Sequence, residues 1–278
     1  MSIEYRMTGP VAITGADGHV GQALQSRLAD LPNPIRALGR SDDWTPAITD
    51  AEAVIHLAGT LQPKRPNTYQ AANVETTKRV LDAAGGGGVQ RIVFLSYVGA
   101  DPNSDNDYLR AKGQAEDLIA ASGIPFVVFR STFICGDLDD IGPSFASYQT
   151  ETGETVSVLG DGTQTLAPIH VGDLTAFLAA AALEPSAPNG IFEVSGPELF
   201  VLDDFIRSIN PTGIKIRHLP GAIAKPLAWF LPQLTPALVD VLLSDSVASG
   251  DPTQTADQFG ASLHALSDLV AVSEEVAS

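Results

Sequence analysis

Residues 11–21, Val-Ala-Ile-Thr-Gly-Ala-Asp-Gly-His-Val-Gly, decide the fold of this chain. A short apolar run ends at Gly15, and apolar residues then recur with helical spacing at Val20, Leu24 and Leu28. The pattern predicts a buried strand, a tight glycine turn and a helix that starts immediately after the turn.

The three glycines of this loop have separate physical roles. Gly15 permits the tight turn, Gly18 lets a phosphate group approach the backbone, and Gly21 lets the helix pack closely on the strand. The start of the helix offers free N–H groups and a positive dipole end to an anion. The loop therefore predicts that the pyrophosphate of NAD(P) binds here, and we expect Asp17, His19 and Val20 to contact it as well.

The rest of the chain continues the alternation of strands and helices. Strands are predicted at 35–38, 53–57, 91–96 and 126–129, and helices at 20–28, 68–84 and 108–121. This order predicts an α/β fold, a doubly wound parallel sheet of the Rossmann type with a smaller C-terminal substrate lobe. We expect a NAD(P)-binding domain at 1–136, and at 137–278 the remaining sheet elements and the lobe, interleaved with the first domain in space. Only a short segment fits between Arg40 and Ala53, so one strand-helix unit is predicted to be trimmed.

The end of the second strand indicates which dinucleotide is bound. NAD sites usually have an acid here, whereas this chain has Arg36 and Arg40. Arg40 favours NADP, because it would pair with the 2′-phosphate, and Arg36 is a further candidate for that pairing. The alternative is that Asp42 or Asp43 binds the ribose of NAD.

The third strand ends in small residues beside the predicted cofactor. Leu57, Ala58 and Gly59 are expected to pass the adenosine side of the cofactor. His56 alternates inward on an apolar strand and is interpreted as a core histidine. Asn73 is expected either to brace the sheet or a proton-relay water, or to pack within its helix.

Three residues supply the chemistry of a proton relay. Tyr108 and Lys112 are four apart on a predicted helix and share one face, and Ser96 ends the preceding strand. A phenol with an ordinary pKa of about 10 needs a nearby cation to act as acid or base near neutrality. We expect Tyr108 to exchange the proton, Lys112 to tune it and hold the nicotinamide ribose, and Ser96 to orient the substrate oxygen.

Composition excludes several classes of function. The net charge of −17 disfavours nucleic acid and anionic membrane surfaces. Cys135 is the only cysteine, which leaves no intrachain disulfide or zinc-type cluster, and we expect it to be buried and structural. The start of the chain lacks a signal peptide's apolar core and no run is long enough to span a bilayer, so a cytoplasmic protein is expected. No bound metal is expected.

The apolar segment Lys225–Leu234 is interpreted as core or lid, with a membrane or partner surface as the alternative.

Taken together, these motifs resemble those of the extended and atypical short-chain dehydrogenases/reductases. The segments that carry the resemblance are Phe94–Asp101, Tyr108–Glu116, Phe129–Gly136, His170–Leu174 and Val194–Glu198. Near the end, Leu242–Val247 and Phe259-Gly260 resemble relatives of the NADPH-binding accessory subunit of respiratory complex I. The resemblance implies a cofactor across the carboxyl ends of the strands, bordered by Ser131, Thr132 and Phe133, and a substrate between the sheet and the C-terminal lobe. Ser131 stands where relatives commonly have proline.

Two functions remain open at this point. The first is a NAD(P)-dependent oxidoreductase acting on a carbonyl or hydroxyl small molecule. The second is a structural, assembly or redox-sensor protein that binds NAD(P)H without turnover, as several atypical members do. A third reading is an epimerase or dehydratase that reuses tightly bound NAD. We expect a monomer rather than a helix-pair homodimer.

Overall fold

A computed structural model of the chain describes residues 7, 9–63, 67–210, 212–222 and 234–267. Its centre is a six-stranded sheet in which every pairing is parallel, with the strand order β2-β1-β3-β4-β5-β10. These strands are β1 (Val11–Thr14), β2 (Ile35–Leu38), β3 (Ala53–His56), β4 (Arg91–Tyr97), β5 (Phe126–Ser131) and β10 (Gly190–Val194). The prediction of a doubly wound parallel sheet is confirmed.

The helices follow the predicted alternation closely. They are α1 (His19–Leu28), α2 (Trp44–Thr49), α3 (Thr76–Gly85), α4 (Asp107–Ala121), α5 (Val171–Leu183), α6 (Leu202–Ser208), α7 (Pro236–Leu242) and α8 (Pro252–Phe259). A π-helical segment, Gln70–Glu75, runs directly into α3, so the helix predicted at 68–84 is wound differently in its first half. No described helix combines the length and the apolar composition needed to cross a membrane.

The trimmed unit predicted after Arg40 is confirmed. Between β2 and β3 the chain forms only the six residues of α2, and β2 is the edge of the sheet. The connection from β1 to β2 runs towards one edge of the sheet, whereas the connections from β2 to β3, across β1, and from β3 to β4 both run towards the other edge. Ligands of such sheets bind at the carboxyl ends of the strands where this reversal occurs, here β1 and β3.

The two faces of the sheet are covered by different helices. Alternate side chains of the strands, such as Ile13 and Val93, pack towards α5, and Leu24 and Leu28 of α1 join them. Those between, such as Phe94, pack on the opposite face against α2, α3 and α4. The helix predicted at 171–183 has those bounds and is buried along nearly its whole length.

The C-terminal half adds to the sheet and builds a second core above it. Three two-stranded pairs lie outside the main sheet, formed by β6 (Ile134–Cys135) with β9 (Ile169–His170), β7 (Thr155–Leu159) with β12 (Lys215–Leu219), and β8 (Thr165–Leu166) with β11 (Phe200–Val201). Aromatic side chains dominate this second core, among them Tyr69, Tyr97, Tyr108, Phe133, Phe145, Tyr148 and Phe205. Of the segment predicted as core or lid, Lys225–Leu234, all but its last residue lies outside the described residues.

Candidate functional site

The glycine loop has the geometry that the sequence predicted. Gly15 has φ +73°, and a Cβ there would lie 2.8 Å from the main-chain nitrogen of Ala58. A Cβ at Gly21 would lie 2.5 Å from the carbonyl oxygen of Gly15 and 2.7 Å from that of Ala16. At Gly18 a Cβ would meet only Gly15, at 3.3 Å, so the space around Gly18 is open. Gly15 and Gly21 thus serve the packing of the loop, while Gly18 leaves its surface accessible to a ligand.

The N-terminus of α1, directly after the loop, has the features of an anion-binding site. Gly18 is the N-cap of α1, so no side chain of the N-cap residue bonds to the first N–H groups of the helix. The first turn of α1 also contains no acidic residue. The first N–H groups of a helix have no partner within it, and they carry the positive end of its dipole. The residues present here therefore fit the pyrophosphate of a dinucleotide.

A cavity of about 600 Å³ opens on one side of the loop, where adenosine is expected. Its lining includes Asp17, Arg40 and Ala58, which the sequence predicted, and Trp44 and Arg79, which it did not. Arg36 does not reach it, because its guanidinium donates to the carbonyl of Ala47 and pairs with Asp50 at 3.6 Å. We call this space the adenosine-side cavity.

A second cavity, of about 260 Å³, adjoins it on the other side of the loop. The two share Gly15, Gly18, Leu57 and Gly59 in their linings. We call the second space the nicotinamide-side cavity. Its other predicted lining residues are His19, Val20, Gly21, Ser96, Tyr108, Lys112, Ser131, Thr132 and Phe133.

The hydroxyl of Tyr108 differs in its hydrogen bonding from the hydroxyls of the neighbouring tyrosines. The Tyr69 hydroxyl donates to the carbonyl of Leu61, and the Tyr97 hydroxyl donates to Ser246 at 3.0 Å. Among the described residues the Tyr108 hydroxyl has no hydrogen-bond partner, although Tyr108 lines the cavity. Burial raises the pKa of Tyr108 well above its usual value, and the neighbouring Tyr97 and Tyr69 raise it further. Tyr108 is therefore a protonated phenol at neutral pH, available to a ligand.

Lys112 lies deep between the sheet and α4. Its Nζ donates to the carbonyl of Leu95 at 2.8 Å and lies 4.7 Å from the centroid of the Phe94 ring. Burial lowers the pKa of Lys112 to about 8, against an opposing effect of Glu116, which raises it. Among the groups that shift the pKa of Tyr108, Lys112 is absent.

An unsatisfied amide oxygen adjoins the lysine. Oδ1 of Asn73 is buried and has no hydrogen-bond partner, while its Nδ2 donates to the carbonyl of Tyr69. A Cβ at Gly59 would lie 2.6 Å from this oxygen and 3.2 Å from Nζ of Lys112. A buried acceptor without a partner is costly unless a ligand or water satisfies it. Asn73 therefore places an acceptor beside Lys112 at the point where the two cavities meet.

Ser96 lines the cavity, yet its side chain is directed elsewhere. Its hydroxyl donates to Oε1 of Glu116, which is itself buried. Arg130 completes this network, with Nη2 donating to Oε2 of Glu116 at 2.6 Å and Nε at 3.1 Å. The expected bond from Ser96 to a substrate oxygen would require this hydroxyl to leave a charged acceptor, which is the stronger partner.

Two residues interpreted as structural have that character. His56 is fully buried, with its ring nitrogens bonded to Thr14 at 2.7 Å and Thr77 at 3.0 Å. Burial lowers its pKa to about 3, so it is neutral. Cys135 is also buried, and burial raises the pKa of its thiol to about 12, which leaves it unreactive.

Sixteen residues were predicted from the sequence as catalytic or cofactor-binding, and all of them line one or both cavities. The ones missed are mainly Trp44, Asn67, Arg79, Tyr97 and Ser144. The sequence contained one indication for Arg79. Ala72, Thr76 and Arg79 have helical spacing, which predicts that they share one face of a helix. In the structure, all three line the adenosine-side cavity. A separate open groove of about 670 Å³ near His218 and Asp245 contains none of the predicted residues.

Comparison with known proteins agrees with this geometry. A family model described as NAD(P)H-binding matches residues 35–184, more than half of the chain. The chain is 24% identical to the Arabidopsis thaliana mitochondrial protein "NADH dehydrogenase (ubiquinone) 1 alpha subcomplex subunit 9", over 86% of this chain and 72% of that protein. It spans only 49% and 44% of the related subunits of Neurospora crassa and Mus musculus.

An enzyme and a solved structure resemble the chain as well. It is 28% identical to "Ceramide reductase" of Caulobacter vibrioides, over 67% of this chain and 64% of that one. A human epimerase family protein solved with NADPH superposes with a TM-score of 0.68, at 19% identity, over 90% of this chain and 93% of that one. The last similarity supports the fold. The family match shows that the chain belongs to the NAD(P)H-binding family, and the structural similarity shows that it shares the fold of epimerase-like proteins.

Proposed function

We propose that the chain is an NADP(H)-dependent reductase of small carbonyl compounds, with Tyr108 as the proton donor. One observation carries this proposal. Among Tyr108 and the two tyrosines whose rings contact it, Tyr69 and Tyr97, only Tyr108 has a hydroxyl without a partner among the described residues, and Tyr108 lines the nicotinamide-side cavity. A protonated phenol next to the nicotinamide-side cavity is what reduction of a carbonyl requires, since the alkoxide formed must take up a proton.

The raised pKa of Tyr108 favours one direction of reaction. Burial holds its phenol protonated at neutral pH. Oxidation of an alcohol would need the phenolate as base, whereas reduction uses the neutral form. When bound, the nicotinamide would supply the hydride to the carbonyl carbon.

The chain's own residues would then orient the reactants. Lys112 and Asn73 lie together at Gly59, a donor beside an acceptor, and would hold the two hydroxyls of the nicotinamide ribose. Phe133 and Leu95 line the nicotinamide-side cavity, and their apolar side chains would help to exclude water around a bound nicotinamide. Such exclusion strengthens the polar interactions made inside.

NADP(H) is proposed as the preferred cofactor for two reasons. Arg40 is exposed and lines the adenosine-side cavity. The carboxylates considered for the ribose of NAD do not line this cavity, and each instead fixes its own turn: Asp42 accepts from the N–H of Gly39 at 2.6 Å and Asp43 from that of Thr45 at 3.1 Å. A 2′-phosphate could therefore pair with Arg40, whereas the turn that contains Asp42 and Asp43 offers no carboxylate at the cavity to a ribose diol.

A Tyr108→Phe variant tests the catalytic role. NADPH consumption would be measured with 9,10-phenanthrenequinone and a panel of aliphatic and aromatic aldehydes and ketones. We expect the variant to lose about 100-fold or more in rate, the usual contribution of a general acid, while NADPH affinity is unchanged. Tyr69→Phe is the matched control, since the Tyr69 ring contacts Tyr108 while its hydroxyl bonds to the carbonyl of Leu61 and the residue lines neither cavity, and it should keep its rate. Equal rates for Tyr108→Phe and wild type would refute the role.

A second candidate function is favoured by the position of Ser96. Its hydroxyl is held by Glu116 rather than directed at a substrate, as suits a protein that binds NADP(H) for structural, assembly or redox-sensing purposes. The subunits of Arabidopsis, Neurospora and mouse that resemble the chain fit such a role. Wild-type protein that binds NADPH tightly but consumes none with any compound of the panel would favour this candidate over the reductase.

A further inference from the structure

We infer that Arg79, held over the ring of Trp44, binds the 2′-phosphate of NADP(H) together with Arg40 and thereby sets the preference over NAD(H). The inference rests on the proposed function, since it assigns a specificity residue within the same cofactor site. Arg79 lies on α3, and it lines the adenosine-side cavity together with Arg40, which follows β2.

The first argument is that these two arginines are unpaired. Seven other arginines in the described part of the chain each donate to an oxygen of a carbonyl, hydroxyl or carboxylate: Arg27, Arg36, Arg91, Arg110, Arg130, Arg207 and Arg217. Arg40 and Arg79 have no such acceptor among the described residues, and both are exposed. Both line the same cavity. In a chain with 33 acidic residues, two unpaired guanidinium groups at one cavity indicate an anionic ligand.

The second argument is that Arg79 has a rigid support. The Cζ atom of Arg79 lies 4.3 Å from the centroid of the Trp44 ring, a cation–π arrangement. Trp44 is 3% exposed, and its Nε1–H donates to the carbonyl of Gly39 at 2.8 Å. The stacking uses the face of the guanidinium and leaves its N–H donors at the edge free for a phosphate.

Trp44, which supports Arg79, is also hydrogen-bonded to the turn that contains Arg40. Gly39, which accepts the Trp44 bond, directly precedes Arg40, and its own N–H is fixed by Asp42. The turn that presents Arg40 is thereby tied to the ring that carries Arg79. Because the backbone next to Arg40 and the ring under Arg79 are fixed relative to each other, little backbone ordering is needed when both arginines bind a single doubly charged group.

The helical face around Arg79 also leaves room for a ligand. Ala72 and Thr76 precede it on the same face, and both are small and line the cavity. Lys78, the adjacent cation, pairs with Glu75 at 2.9 Å and is not part of the lining. Lys78 therefore offers a matched control, with the same charge on the same helix but outside the site.

The test compares ligands with and without the 2′-phosphate. Affinities for NADPH, NADH, 2′,5′-ADP and 5′-AMP would be measured by calorimetry for wild type, Arg79→Met, Arg79→Lys and Lys78→Met. Methionine keeps an apolar chain over Trp44 but removes the charge and the donors. We expect Arg79→Met to bind NADPH and 2′,5′-ADP about 10- to 100-fold more weakly, the usual value of a charged hydrogen bond, with NADH and 5′-AMP within about twofold.

The conservative variant and the control sharpen the result. Arg79→Lys keeps the charge without the planar fork and should lose less than Arg79→Met. Lys78→Met should leave all four affinities within about twofold of wild type. Thermal melts of each variant check that the fold is intact, because Arg79 also covers Trp44.

Each failure has a distinct meaning. An unchanged NADPH to NADH ratio in Arg79→Met overturns this inference and leaves the proposed reductase intact. Wild-type preference for NADH overturns it as well, and would place the ribose on Asp17, the acid that lines the cavity. Wild type that binds none of the four ligands would overturn the proposed function itself.

Discussion

The three glycines of the loop at 15–21 are expected to respond differently to the same substitution by alanine. Each role assigned to them predicts a separate measurable effect, on stability or on cofactor binding. Gly21→Ala tests close packing of α1 on the strand, and Gly18→Ala tests the approach of a phosphate. Gly85→Ala, at the end of α3, is the control, since a Cβ there would meet nothing within 4 Å.

Gly21→Ala should destabilise the protein without direct loss of a ligand contact. The new methyl would lie 2.5 Å from the carbonyl oxygen of Gly15 and 2.7 Å from that of Ala16. Both are backbone atoms of the loop, so relief requires α1 to move. Overpacking of this kind costs about 3 kcal/mol at the upper end, against about 1 kcal/mol gained in helix propensity, which leaves a net loss of about 2 kcal/mol. The melting temperature should fall by about 4–8 °C.

Gly18→Ala should affect binding rather than folding. Its methyl would meet only the carbonyl oxygen of Gly15, at 3.3 Å, and the residue's φ of −80° suits alanine. The N-cap preference lost and the chain entropy gained are each about 0.5 kcal/mol and nearly cancel. The methyl nevertheless occupies the surface where phosphate approaches the backbone. We expect NADPH affinity to fall at least about 10-fold, which corresponds to about 1.4 kcal/mol.

Urea unfolding and NADPH titration of the three variants give the answer together. Gly85→Ala should gain about 0.5–1 kcal/mol from helix propensity alone and bind NADPH as wild type does. The assignment of roles is refuted if Gly21→Ala is as stable as Gly85→Ala. It is equally refuted if Gly18→Ala binds NADPH with wild-type affinity.

Two further predictions concern the buried charges behind the cavity. Glu116→Gln removes the charge that Arg130 and Ser96 share and should cost about 2–3 kcal/mol in urea unfolding, whereas Glu75→Gln, in the exposed pair with Lys78, should cost less than about 1 kcal/mol. An equal loss in both variants would contradict the buried network. Lys112 has a pKa of about 8, so it is charged below and neutral above that pH. NADPH affinity should therefore fall between about pH 7 and 9, and Lys112→Met should bind more weakly at pH 7 and lack this decrease; a decrease that persists in the variant would assign the titration elsewhere.

Most of the fold could be predicted because its signals are local. The apolar runs at 11–14 and 35–38 became strands with those bounds, and the helix at 171–183 likewise. The missing strand after Arg40 followed from chain length, since the segment before Ala53 is too short for a full unit. The π-helical winding at 70–75 could not be predicted, because it depends on how that segment packs beside α4 rather than on its own composition.

The structure brings the predicted site residues together where position in the chain determines position in space. The sixteen residues predicted for the site all line a cavity, because the carboxyl ends of parallel strands meet at one edge of the sheet, whereas Arg36, also considered for the 2′-phosphate, does not. Spacing could not reveal where a side chain points. Ser96 ends its strand as predicted, but its hydroxyl is taken by Glu116, a partner twenty residues away on α4. Lys112 shares a helical face with Tyr108, yet its Nζ donates to the carbonyl of Leu95 rather than to the phenol.

The unpaired arginines also explain how so acidic a chain would hold an anionic cofactor. A surface ion pair is worth only about 0–1 kcal/mol, so leaving Arg40 and Arg79 without carboxylates costs the fold little. Inside a cavity the same charges act at short range, where salt screens them less than it screens the overall charge of −17. The start of α1 adds its dipole from the other end of the cavity. Affinity would therefore be determined by these local donors, while the net charge excludes larger polyanions that approach the surface broadly.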